Sequence, residues 1–183
     1  MAKWSQIARR VRVPLGFAFA VFYFWLAWPS WQSLVLGVMV ILPGLLLRAL
    51  ASGHVRKNEV LATTGPYAYT RNPLYLGSLL IGIGFAIAGR SWWVGFVLIV
   101  MFLFIYIPVM RAEEAFLREK FPEFEDYARQ VPRILPRFTT ATNVTGRPLE
   151  GFSADLYVKH HEYNAVLGAA ALLVALIVRM VVL

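Results

Sequence analysis

The sequence contains no cysteine, which excludes a disulfide framework, thiolate metal sites and any cysteine nucleophile. Charge is nearly as scarce, at 15% of 183 residues against 59% hydrophobic. Soluble domains carry about 25% charged residues, so this balance excludes an ordinary soluble fold and predicts an all-α integral membrane protein. The length allows one membrane domain, residues 1–183, and no large soluble one. Lys and Arg exceed Asp and Glu by 18 to 10. In so apolar a chain, basic loops facing an anionic leaflet account for that surplus, so the lipid bilayer and not nucleic acid is the expected partner.

No charge occurs between Arg12 and Arg48, more than one crossing needs, since about 20 helical residues span the hydrocarbon. Trp28-Pro29-Ser30-Trp31 breaks the run, predicting spans at 13–28 and 31–50. Further spans are expected at 73–89, 91–110 and 163–183. The first reads as an uncleaved signal anchor, because no small-residue cleavage site follows it. Basic residues collect before the first span, between the second and third, and after the fourth. The positive-inside rule then gives a cytoplasmic N-terminus and an external C-terminus. The fifth span is expected to pack on the others or to pair two protomers, so an oligomer is allowed.

Two polar segments remain, 52–72 and 111–137, both on the expected cytosolic side. The first runs into "GPYAYTRNPLYLG", residues 65–77. Thr64-Gly65-Pro66-Tyr67 is a turn signal. Asn72-Pro73 reads as a helix start, with the Asn side chain capping a free amide and Pro at the first position. Tyr67, Tyr69 and Tyr75 form either an interfacial aromatic belt or one wall of a ligand site. In the second segment Leu117, Phe121, Phe124, Tyr127 and Val131 recur at three- and four-residue steps, one apolar stripe of an amphipathic pair. Pro122 is expected to start a second short helix after Phe121.

Glu113 and Glu114 fall about one turn beyond an uncharged span, where two adjacent carboxylates need a cation or donor to meet them. Arg111 is the expected partner for one. In the third span Gly77, Ser78, Gly82 and Gly84 form either a close-packing face or a groove wall for a flat ligand. His160-His161-Glu162 is read as interfacial, with no metal assigned. Asn143-Val144-Thr145 matches a glycosylation pattern on the cytosolic side, where it would be idle.

The stretch "LATTGPYAYTRNPLYLG" followed by "EEAFLREKFPEFEDYARQVPRILP" resembles the isoprenylcysteine carboxyl methyltransferase family, within the wider group that includes phospholipid methyltransferases. The resemblance implies methyl transfer from S-adenosyl-L-methionine at the cytosolic membrane face. Its acceptor would be a membrane lipid or prenyl-type amphiphile. It assigns the cofactor to Lys57, Glu59, Val60, Leu61, Ala62, Tyr67, Arg71, Asn72, Pro73, Leu74, Tyr75, Gly82, Gly84 and Glu113. Glu114 would serve as base for an amine acceptor, whereas an ionised carboxylate needs none, and Arg111 stands for the substrate arginine. Two departures stand out: Asn72 replaces the usual histidine, removing any titratable proton there, and Phe121-Pro122 stands where phenylalanine-glycine is common. Two alternatives accompany this reading: an NADPH-dependent reductase resembling the sterol reductases, and a non-enzymatic membrane protein that keeps the fold.

Overall fold

The computed structural model describes residues 2–56, 59–139 and 151–182; the expectations for Lys57 and for Asn143-Val144-Thr145 lie outside them. The described residues form helices and connecting segments without strands: the protein is an all-α integral membrane protein. Helix α1 (Ala2–Leu26) takes the basic N-terminal stretch into the helix. After the expected break at 27–30, α2 (Trp31–Ser52) starts on a reciprocal cap: Ser30 Oγ accepts from Ser33 N, and Ser33 Oγ accepts from Ser30 N at 2.9 Å. A 3₁₀ turn (Gly65–Ala68) precedes α3 (Pro73–Ala88).

The fourth span does not end at residue 110. Helix α4 (Trp92–Met101) passes through a π-helical turn (Phe102–Tyr106) into α5 (Ile107–Lys120), one apolar rod of 29 residues. Pro108 lacks an amide and crowds the carbonyl four residues back. The ladder widens there instead, with Ile107 N donating to Phe102 O. Glu113 and Glu114 thus belong to the rod and not to a segment after it. Beyond Pro122 the expected short helix appears as α6 (Phe124–Gln130), followed later by α7 (Ala154–Lys159) and α8 (Tyr163–Val182).

Trp31–Ser52, Trp92–Lys120 and Tyr163–Val182 are long and apolar enough to cross a membrane; Pro14–Leu26 and Pro73–Ala88 are apolar but shorter. Within a bilayer, helices associate through close packing and polar contacts. Accordingly α2 and α3 meet through small residues: a Cβ on Gly84 would lie 2.7 Å from Gly37 O and 2.6 Å from Ile41 Cγ1, and one on Gly77 would lie 2.8 Å from Gly44 O. Gly77, Gly82 and Gly84 of that stripe pack against neighbouring helices, whereas Ser78 Oγ accepts from Arg48. Around it Tyr23, Leu34, Ile41, Phe85, Val94 and Leu176 draw α1, α2, α3, α4 and α8 into one core, and the Tyr23 hydroxyl donates to Phe85 O at 2.8 Å.

The two ends of the bundle differ. Trp28 N donates to Gly89 O at 2.9 Å, joining the α1–α2 and α3–α4 connections. Exposed Trp25, Trp28, Trp31, Trp92 and Trp93 crowd this end, as interfacial tryptophans do. Arg179 near the end of α8 lies over the rings of Phe24 and Trp28. The opposite end gathers the polar segments. The predicted stripe Phe121, Phe124, Tyr127 and Val131 buries together with Leu61. Residues 69–71 then pair with 132–137: Arg71 N donates to Pro132 O at 2.9 Å and Arg137 N to Tyr69 O at 3.0 Å.

Candidate active site

At that polar end a cavity of about 770 Å³ opens between α2, the 60–75 segment, α3, α5, α6 and the approach to α8. Its walls are drawn from both polar segments. One bridge between them is a single hydrogen bond, from the Tyr75 hydroxyl on α3 to Glu113 Oε1 on α5, at 3.0 Å. Tyr75 is itself set by Tyr106, which meets it edge-on with ring centroids 5.8 Å apart. Tyr106 is the last residue of the π turn and stacks on Phe102 within it.

Adjacent residues on a helix point about 100° apart, and the two glutamates diverge accordingly. Glu114 turns into the protein, only 4% exposed. Arg133 grips it in a two-pronged clasp, Nη2 to Oε2 at 2.7 Å and Nε to Oε1 at 3.0 Å. Asn72 Nδ2 donates to Oε1 at 3.3 Å, and Arg71 Nη1 lies 3.5 Å away. The hydrogen bonds that Arg133 donates to Glu114 raise its guanidinium pKa against the lowering effect of burial, so the charge on this partner is secure. Arg71 Nε is buried without a hydrogen-bond partner among the described residues.

Two expectations are corrected here. Asn72 makes no side-chain cap on α3. Its Nδ2 donates to Glu114 and to Arg133 O at 3.0 Å instead; a buried carboxylate holds an amide N–H by a charge-assisted bond, and the side chain so oriented makes no bond to the α3 amides. Arg111 is exposed and does not line the cavity; Arg133 and Arg71 hold Glu114 in its place. Both oxygens of Glu114 accept hydrogen bonds from these donors.

Tyr67 stands in the cavity wall, its backbone carbonyl accepting from the Tyr127 hydroxyl at 2.8 Å. Burial pushes its phenol pKa up, with smaller contributions from Glu113 and Glu162, so it is a neutral donor. The chain enters this turn at Gly65 with φ +57°, where a Cβ would lie 2.6 Å from the His54 ring. Both the left-handed backbone and the contact require glycine.

Of the residues predicted from sequence, Val60, Leu61, Ala62, Tyr67, Arg71, Asn72, Pro73, Leu74, Tyr75, Glu113 and Glu114 line this one cavity. Glu59 is exposed and outside it. Gly82 and Gly84 are also outside: Gly84 abuts α2, and a Cβ on Gly82 would lie 3.0 Å from Leu98 of α4. Sequence reasoning missed Arg48, Tyr106, His160 and Glu162 as site residues, all in the cavity wall with Ser78, which it had offered as packing face or groove wall. Arg48 carried a usable signal, being a lone cation close to the end of a long apolar helix.

The chain is similar to known proteins. The Cobalt-zinc-cadmium resistance protein CzcN of Cupriavidus metallidurans is 42% identical over 106 residues, covering 57% of this chain and 48% of that protein. The Nickel-cobalt-cadmium resistance protein NccN of Alcaligenes xylosoxydans xylosoxydans is 39% identical over 106 residues, 57% of this chain and 49% of its own length. The chain therefore spans about half the length of the curated relatives it matches. No solved structure matches it. The family model described as phospholipid methyltransferase matches residues 11–123, from α1 through the cavity's Tyr75–Glu113 bridge to the end of α5. With well over half its length matched, the chain belongs to the phospholipid methyltransferase family.

Proposed function

We propose that the protein transfers a methyl group from S-adenosyl-L-methionine to an amphiphilic acceptor at the cytosolic face of the membrane. The observation that carries this reading is the meeting of Tyr75 and Glu113 at 3.0 Å, which joins the two motif segments around one cavity. Its volume of about 770 Å³ falls in the range of about 300–1,000 Å³ usual for small-molecule sites.

The donor set fits the cofactor. Glu113 offers a carboxylate to an ammonium or a ribose diol, and the tyrosine rings offer π faces to a cation. Arg71 Nε, buried and unpartnered among the described residues, suits a carboxylate. When bound, S-adenosyl-L-methionine supplies a methyl carbon already activated by a sulfonium. The protein's residues then have to orient and desolvate the acceptor. Tyr67 remains protonated and donates. Glu114, Asn72, Arg71 and Arg133 hold the wall rigid. With Glu114 clasped, the base expected for an ammonium is already engaged, which favours an acceptor that is already deprotonated.

The family match favours methyl transfer over the reductase alternative. The names of the two relatives speak of resistance to cobalt, zinc, cadmium and nickel. Among the described residues no group of three or more His, Cys, Asp or Glu side chains converges as a metal site would need, so we take a link to metal resistance to act through a methylated product. Equilibrium binding of labelled S-adenosyl-L-methionine to purified protein tests the reading. Binding is expected, and Glu113→Gln should weaken it about tenfold to a hundredfold, the worth of a charge-assisted hydrogen bond. Preferential binding of NADPH would overturn it.

A further inference from the structure

Past the family-matched residues the chain returns to the same cavity. Ser153 N donates to Gly53 O at 2.9 Å, and the ring of Phe152 covers the Cα of Gly53 beside His54, ring centroids 6.2 Å apart. Helix α7 follows, and His160 Nδ1 lies 3.1 Å from Ser52 O at the end of α2. His161 then adopts a left-handed φ of 52°, a conformation that a residue with a Cβ rarely takes. The next residue, Glu162, is 8% exposed and meets Arg48, Nε to Oε1 at 2.5 Å. Arg48 Nη1 also donates to Ser78 Oγ at 2.5 Å and Leu74 O at 3.3 Å.

A part-buried ion pair roughly breaks even against apolar packing, so cohesion of the bundle does not require one here. Arg48 Nη2 has no hydrogen-bond partner among the described residues, while the side chain lines the cavity. The charges around the cavity are Arg48, Arg56 and Arg71 with Arg133 behind, against Glu113, Glu114 and Glu162. That is a surplus of one cation before a cofactor of net charge +1 enters. A cationic acceptor would add to the repulsion; an anionic one relieves it. Tyr106, Phe116 and Leu117 in the same wall suit an apolar tail.

We propose that Arg48 anchors the anionic group of the methyl acceptor, an oxyanion carried on an apolar tail, and that it sets which sign of acceptor charge the site admits. Glu162 and Ser78 position Arg48, and the strap at 151–162 delivers Glu162 from outside the family-matched region. This rests on the methyl-transfer reading for the identity of the bound amphiphile as acceptor. The anion site itself can be measured separately.

The test uses the full chain in nanodiscs of neutral phosphatidylcholine, with dodecanoate, dodecyl phosphate and dodecylamine as probes. Binding is read by thermal shift and titration, with S-adenosyl-L-methionine binding measured on the same samples. Wild type should bind at least one anionic probe about tenfold more tightly than the amine, a difference of about 1.4 kcal/mol; which anion wins separates carboxylate from phosphate. Arg48→Gln should abolish that preference. Glu162→Gln, which keeps size and hydrogen bonding but removes an opposing charge, should tighten anion binding severalfold. The exchanged pair, Arg48→Glu with Glu162→Arg, retains an ion pair and should invert the preference toward dodecylamine. Equal or tighter binding of the amine by wild type overturns the proposal, as does an unchanged preference in the exchanged pair. Loss of cofactor binding in wild type alone would instead sink the methyl-transfer reading and leave the anion site standing.

Discussion

Arg133 and Glu114 are 19 residues apart in sequence and share three charge-assisted hydrogen bonds, one of 2.7 Å, that fasten the segment beyond α6 to the middle of α5. Glu114 is almost wholly buried, while the Arg133 side chain remains 39% exposed. Removing the carboxylate leaves Arg71 and Arg133 without it. Glu114→Ala should therefore cost about 2–3 kcal/mol, below the usual loss for a broken buried pair because Arg133 keeps some water. Thermal unfolding in detergent measures this. A general base would behave differently: Glu114→Gln would then flatten the pH–rate profile while leaving stability untouched.

Tyr67 and Tyr127 have phenol pKa values raised by burial from the ordinary 10.0. As pH climbs, the unfolded chain loses these protons before the folded one does. Stability is therefore intact below pH 10.0 and falls above it, because the unfolded state now binds fewer protons. Tyr67→Phe should make the alkaline side of the stability curve shallower. An unchanged slope in thermal melts across that range would contradict the burial of the phenol.

Tyr75 donates the hydrogen bond that steadies Glu113. Tyr75→Phe keeps the ring packed on Tyr106 and removes only the donor. Affinity for S-adenosyl-L-methionine should drop about twofold to tenfold, the net worth of one hydrogen bond. The effect should be smaller than that of Glu113→Gln, and the two changes together should cost less than their sum. Calorimetric titration of the four proteins decides it; strict additivity would mean the two groups act independently.

Gly84 touches α2 so closely that a methyl group would fall 2.6 Å from Ile41 Cγ1 and 2.7 Å from a backbone oxygen. Because a backbone cannot step aside cheaply, Gly84→Ala should destabilise by about 1–3 kcal/mol, an overpacking cost. At Gly95 a Cβ would meet none of the described atoms within 4 Å, so alanine should be accepted there without loss. Purified variants compared by melting temperature test both, and a cofactor-contact role for Gly84 would instead show as weakened binding at unchanged stability.

The amphipathic stripe, the helix start at Pro73 and the pairing of the tyrosine and glutamate segments were all legible, since each depends on local periodicity or a short motif. What escaped was the identity of partners. Asn72 looks like a cap because local rules recognise only its own helix; the competing carboxylate comes from Glu114 in another one. Glu162 sits 114 residues from Arg48, and beside two histidines it reads as an interfacial cluster. Glycine spacing announces close approach without saying to what: the resemblance gives Gly82 and Gly84 to the cofactor, while in the structure they abut α4 and α2.

The wide turn at Phe102–Tyr106 has a mechanical corollary. A closure that spans five residues takes in one more than an α-helical closure, so it acts as a phase shifter between the tryptophan-bearing half of the rod and the half that carries the carboxylates. Adding a residue elsewhere in the rod would swing Glu113 by about 100° away from Tyr75. The turn itself is the one place along the shaft where the chain already tolerates a surplus residue, and length changes there should be absorbed as a local slackening without rotating the acidic end.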